Sequence, residues 1–211
     1  MDGLMIIIYM CFIIPMFPFL MILRDRQSKY LTGCLMAGMT LCFIAAYINR
    51  FLLNLSSGDS IYITTNITPI SEEVLKALPV LFLAYFVLDD RDFLISAAFA
   101  VGVGFAILEN AVILTSNLET VTISWAFLRG IGAAFMHGTA SASVGYGMSY
   151  VKKKKKLFYS GTFSLLIAAI IYHSIFNLLV QSSLRLAAFF MPTVLFCSMA
   201  YVVYKKKNEK D

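Results

Sequence analysis

The chain has 211 residues, 60% of them hydrophobic and 14% charged, with a mean hydropathy of +0.81. Such a composition excludes a water-soluble domain, because too few polar side chains remain to cover its surface. The net charge of +5 does not point to nucleic acid, since the basic residues sit close to the ends of apolar stretches, where they orient a membrane chain and meet anionic lipid.

A hydrocarbon core of about 30 Å is crossed by roughly 20 apolar residues in helix. Taken in chain order, stretches of that kind fall at 3–23, 31–53, 68–88, 93–114, 123–150, 157–180 and 186–204. The first has no basic segment before it and no small-residue cleavage site after it, so it reads as a retained span and not a signal peptide. Arg24, Arg26 and Lys29 follow the first span, Arg91 sits in the turn after the third, Lys152 to Lys156 follow the fifth, and Lys205, Lys206, Lys207 and Lys210 close the chain. The alternate connections, 54–67, 115–122 and 181–185, hold Arg185 alone. Of 17 Lys and Arg, 13 therefore fall on one side, which the positive-inside rule assigns to the cytoplasm. The expectation is an all-α polytopic membrane protein of about seven transmembrane helices, one domain over residues 1–211, with its amino terminus outside and its carboxyl terminus cytoplasmic. Cys11, Cys34, Cys42 and Cys197 lie in apolar spans without CxxC spacing, which predicts buried free thiols.

Ionisable residues inside spans are costly and mark function by default. Here they are Glu72, Glu73 and Lys76 in the third span, Glu109 in the fourth, Arg129 and His137 in the fifth, and His173, followed by Asn177, in the sixth. At a rise of 1.5 Å per residue, Glu72, Glu73, Glu109, Arg129 and His173 lie on the order of 6–10 Å below the outer edge, with Asn177 shallower and His137 deeper. Four helices thus place polar groups in one layer of the outer half. Lys76 is within reach of Glu72 and Glu73 on its own helix, and His173 and Asn177 share a face. Arg129, Ala133, His137, Ser141 and Gly145 form a further stripe, beside a small-residue ridge of Gly130, Ala134 and Gly138 that lets a neighbouring helix approach.

Two chemistries suit this set. Glu72 or Glu73 can activate a water while His173 and Asn177 supply donors to an oxyanion. Alternatively, His137 and His173 with Glu109 form a zinc set, three protein ligands and an open position being the catalytic arrangement. There is no HExxH.

The stretches Glu72-Glu73-Val74-Leu75-Lys76 (EExxK), Phe105 to Asn110 (FxxxEN), Arg129 to His137 and His173 to Asn177 (HxxxN) resemble those of the PrsW intramembrane proteases, which are related to the type II CAAX prenyl endopeptidases and to the APH-1 subunit of γ-secretase. The likeness covers about residues 68–180. It implies a site-1 protease of the bacterial plasma membrane that cuts a single-span anti-sigma factor on its extracytoplasmic side. By analogy with the CAAX enzymes, Glu72 would activate water, Glu73 and Lys76 would support it, and His173 with Asn177 would form the oxyanion site. Where those enzymes have FxxxH this chain has Glu109, which could instead ligate a metal or hold His137. Two other classes remain open at this point: a proton-coupled transporter, because intramembrane Glu and His also build relays, and a non-catalytic scaffold, as the likeness to APH-1 suggests.

Overall fold

The computed structural model describes residues 2–55 and 60–208, and they fold as helices joined by short turns. In chain order these are α1 (Asp2–Ile22), α2 (Arg26–Leu55), a single turn α3 (Ser60–Tyr62), a π-helical turn π1 (Ile63–Ile67), α4 (Thr68–Phe82), a second π turn π2 (Leu83–Val87), α5 (Arg91–Ser116), α6 (Ile123–Met148), α7 (Lys155–Val180) and α8 (Arg185–Asn208). Seven of the α-helices are long, and no strand occurs among the described residues. Large apolar side chains such as Ile7, Phe17, Met21, Phe127, Phe163 and Tyr201 lie exposed on the outer surface, which a water-soluble protein would not tolerate on this scale. The chain is an all-α polytopic membrane protein.

Polar residues start the helices where their free N–H groups would otherwise be left at the membrane edge. The Phe93 amide donates to the Asp90 carboxylate at 2.6 Å at the head of α5, and the Trp125 amide donates to the Thr122 hydroxyl at 3.2 Å at the head of α6. The structure corrects the start of the third span. Helix begins at Ser60, not near Thr68, and of the connection expected over 54–67, residues 60–67 are helical. Pro69 suggests a helix start, but π1 carries the chain into it: the Thr68 amide donates to the Ile63 carbonyl, the wider turn that lets a proline without an N–H enter a continuing helix. Twelve helical positions precede Glu72, about 18 Å of helix.

Gly3–Ile22, Arg26–Leu55, Arg91–Ser116 and Lys155–Val180 are long and apolar enough to cross a membrane, and α8 has a shorter apolar part, Arg185–Tyr201. α4 carries three charges, and α6 carries five glycines with Arg129 and His137. These two helices contribute most of the buried polar residues, so hydropathy, which reports contact with lipid, is weakest for them.

Close backbone approach holds the centre together. A Cβ on Gly102 would overlap the His137 carbonyl, one on Gly104 the Leu35 carbonyl, and one on Gly38 the Val101 carbonyl. Small residues of this kind let van der Waals packing and polar contacts replace the hydrophobic effect inside a membrane. The expected ridge on α6 is only partly used: Gly138 packs on the Phe99 ring and Gly130 faces open space, whereas Gly132 and Gly145 meet Phe189 and Ala98. Cys34 and Cys42 are buried free thiols, but Cys11 and Cys197 are free and exposed, because both helices carrying them lie at the bundle's surface.

Candidate active site

α4, α5, α6 and α7 bring seven of the eight sequence-predicted residues into one buried network, Asn177 excepted, and α2 adds Asn49, which sequence reasoning missed. Glu73 is its hub. One carboxylate oxygen, Oε1, accepts from Lys76 Nζ at 2.5 Å and from His173 Nδ1 at 2.8 Å. Lys76 Nζ also reaches His137 Nδ1 at 2.7 Å and lies 4.9 Å from the centre of the Phe105 ring, so its charge is held between a carboxylate, an imidazole and an aromatic face. The far side of His137, Nε2, stands 3.3 Å from Glu109 Oε2, which is 3.4 Å from Arg129 Nη2. The Arg129 guanidinium in turn lies 5.8 Å from the Trp125 ring. The two imidazoles meet edge to face, with centroids 4.7 Å apart. The α6 stripe points inward as its spacing predicts, with Arg129, Ala133, His137, Ser141 and Gly145 all buried.

Glu72 occupies the other side of the pair of histidines. Its Oε1 accepts from Asn49 Nδ2 at 2.9 Å, and Asn49 Oδ1 accepts from the Ser71 hydroxyl at 2.7 Å. An amide inside the second apolar span was the one signal in the sequence that could have disclosed Asn49. Glu72 Oε2 and His173 Nε2 face each other at 3.7 Å, and both are buried without a hydrogen-bond partner.

Asn177 stands apart from the network. Its side chain donates to the Thr64 carbonyl in π1 at 2.9 Å, and Gln181, one turn on, reaches the Thr64 hydroxyl at 3.3 Å. This motif asparagine therefore ties α7 to π1, and the oxyanion role that the HxxxN resemblance implies has no geometric support here.

The metal set also differs from the one read in the sequence. Glu72, His137 and His173 each offer a ligand atom, and these atoms lie within 4.8 Å of one another. Glu72 takes the place expected of Glu109, because Arg129 and His137 already engage Glu109. A family model described as PrsW family intramembrane metalloprotease matches residues 26–204. The chain belongs to the PrsW family. No curated protein and no solved structure matches it. This PrsW-family chain is an intramembrane protease, and the match, which begins at α2, leaves α1 outside.

The residues present fit a metal. Two buried ligand atoms, Glu72 Oε2 and His173 Nε2, have no partner in the protein, an arrangement that otherwise costs free energy. Because a carboxylate only accepts, His173 Nδ1 donates its proton to Glu73 and leaves Nε2 with a lone pair, the carboxylate-supported histidine found at metal sites. Counted as ions, Glu72, Glu73 and Glu109 outnumber Lys76 and Arg129 by one negative charge, which favours a bound cation. Among the described residues, the buried acids, bases and histidines all fall in this one network.

Proposed function

We propose that this protease cuts a single-span partner near the extracytoplasmic face of a bacterial plasma membrane, and that the partner is an anti-sigma factor whose cleavage starts release of its sigma factor. The side is supported by charge. The active network lies toward the end of the bundle formed by π1 and the α5–α6 and α7–α8 turns, and the basic residues of the α1–α2, π2–α5 and α6–α7 connections lie at the opposite end, which the positive-inside rule places in the cytoplasm. The observation that carries the reaction is the buried Glu72–His137–His173 group.

Glu72, His137 and His173 are the residues that would hold zinc, whose part is to act as a Lewis acid and to make hydroxide available near neutral pH. Glu73 accepts the Nδ1 proton of His173 and fixes that ring. Lys76 braces Glu73 and faces His137 Nδ1, while His137 Nε2 faces Glu109, so ligation by His137 would take over the nitrogen now turned to one of these two partners. Glu109 is the carboxylate of the network with the greatest exposure, 22%, and it sits against His137; it takes the proton of the attacking water and returns it to the leaving amine. Arg129, 3.4 Å away, holds the Glu109 carboxylate in position.

The test is co-reconstitution of purified protein with a single-span anti-sigma factor in liposomes, with zinc content measured on the same samples. Wild type is expected to hold one zinc and cut the substrate, and His173→Ala to lose both zinc and cleavage while keeping its elution volume. Cleavage that survives in a folded, zinc-free His173→Ala protein would overturn the metal reading. An uncut substrate with zinc bound would overturn the choice of partner.

A further inference from the structure

The network is closed on most sides: Glu73, Lys76, His137 and His173 are at most 1% exposed and Glu72 5%, so a peptide must come in from a particular direction. Glu109 marks it. On α5, Glu109 shares a helix face with Val112 and Ser116, at spacings of three and seven. Val112 and Ser116 line a cavity of about 530 Å3 between α1, α2, π1 and α5, a volume in the range of ligand-binding sites. Asn49, which hydrogen-bonds Glu72, lines the same cavity. The cavity therefore touches the network at Asn49, the partner of Glu72, and its Val112 lies one helical turn from Glu109 on α5.

The lining suits one kind of occupant. A substrate helix must be unwound before its peptide bond can be attacked, and an extended backbone inside a membrane needs partners for its N–H and C=O groups. The cavity offers amides from Asn49 and Asn54 and hydroxyls from Thr68 and Ser116, and the Arg50 guanidinium and Tyr47 also line it, along a wall that is otherwise largely apolar. Asn49 uses one N–H on Glu72 and one lone pair on Ser71, and an amide has a further N–H and lone pair to give. A second cavity, about 770 Å3, lies between Met16, Phe19, Leu35, Phe99 and Phe196 and is almost wholly apolar, as suits a lipid chain. The first cavity's π1 wall is irregular helix, which is frequent at functional sites, and Asn177 pins it through the Thr64 carbonyl.

Resting on the protease reading above, we propose that the scissile segment of the substrate enters as an extended strand through the cavity between α1, α2, π1 and α5, and that Leu4 and Met5 of α1 select which segments fit. These two residues form the α1 side of the cavity, and α1 is the part of the chain outside the family match. Selectivity is thus placed on α1, which lies outside the family match, while the chemistry lies on α4 to α7.

The experiment uses the full chain in liposomes with the same anti-sigma factor. Ala46→Trp, which fills the cavity, is expected to lower kcat/KM about tenfold or more, mainly through KM, with zinc content unchanged. Ala200→Trp, in the apolar cavity, is expected to cut like wild type. In a Glu72→Gln background that leaves substrate intact, Tyr47 replaced by the photo-crosslinker p-benzoylphenylalanine is expected to join the substrate within a few residues of its cut site. Leu4→Trp is expected to favour substrates with small residues beside that site. Unchanged KM in Ala46→Trp, or crosslinks confined to lipid or to distant parts of the substrate, would overturn the path. Absence of cleavage by wild type is a different failure and falls on the choice of substrate.

Discussion

α1 buries Ile8 and Ile13, half-buries Met5, Tyr9, Met16 and Leu20, and leaves its other large side chains exposed, whereas α6 buries fourteen of its 26 residues, among them Arg129 and His137. Both have the length of a membrane helix, yet only α1 reads as one by apolarity. The difference teaches what hydropathy measures in a bilayer protein. A helix that faces lipid must be apolar all round, while one enclosed by other helices needs small residues to admit backbones and can hold polar groups that find partners. In this chain two of the four helices that carry the chemistry, α4 and α6, do not read as membrane helices in composition, whereas α5 and α7 do.

The contrast breaks hardest at the glycines. Gly102→Val puts a branched side chain against the His137 carbonyl, a backbone atom that cannot swing away. The expected loss is at or beyond the top of the ~1–3 kcal/mol range for overpacking, with displacement of the histidine that follows. Thermal unfolding in detergent reads the first effect and zinc content the second. Gly3 of α1 has nothing near its Cβ position, and Gly3→Val is expected to leave both unchanged.

Within the network, Glu73→Gln separates orientation from ligation. Glu73 touches His173 and Lys76 but is not one of the three residues that would hold zinc. Loss of such an outer partner typically costs 10–100-fold in metal affinity, so about that weakening is expected in chelator competition, with the fold intact. No change in affinity would show that His173 is held by packing alone. Arg129→Met comes next. It leaves the Glu109 carboxylate against His137 without its cation, an expected loss on the order of 1–3 kcal/mol. Adding Glu109→Gln is expected to recover most of that stability but none of the cleavage.

The sequence was most legible where a physical cost forces a choice of residue. Charges inside spans disclosed four of the helices that meet, and the 3.6 period placed Arg129, His137 and Ser141 on one inward face. The long helices match the apolar stretches to within a few residues at most ends. Three things were not legible. Pro69 reads as a helix start, since only the three-dimensional course shows that a π turn carries helix through it. Asn49 is a single amide whose partner is 23 residues away, and no spacing rule connects them. Glu72 and Glu73 are adjacent, about 100° apart around the helix, and which one meets the histidines as a ligand and which as a brace depends on how α7 packs against α4.

At the basic end, polar groups behave in the opposite way, and the smallest effect is expected there. Asp89 and Lys152 form a 2.8 Å ion pair between the π2–α5 and α6–α7 turns, with the carboxylate fully open to water. The Lys152 ammonium, through its hydrogen bond and its charge, holds the Asp89 carboxyl below its ordinary value of 3.8. A carboxyl lowered on folding contributes stability that is present above 3.8 and is lost as the pH falls through its lower folded value. At pH 7 the pair is therefore intact, but solvent and salt screen it. Asp89→Asn is expected to shift thermal unfolding by no more than the error of the measurement, and less still at high salt. A clear destabilisation would mean that this turn pair, unlike other exposed pairs, fixes how α5 and α6 enter the bundle, and would extend the ordered polar framework from the active layer to the opposite face of the membrane.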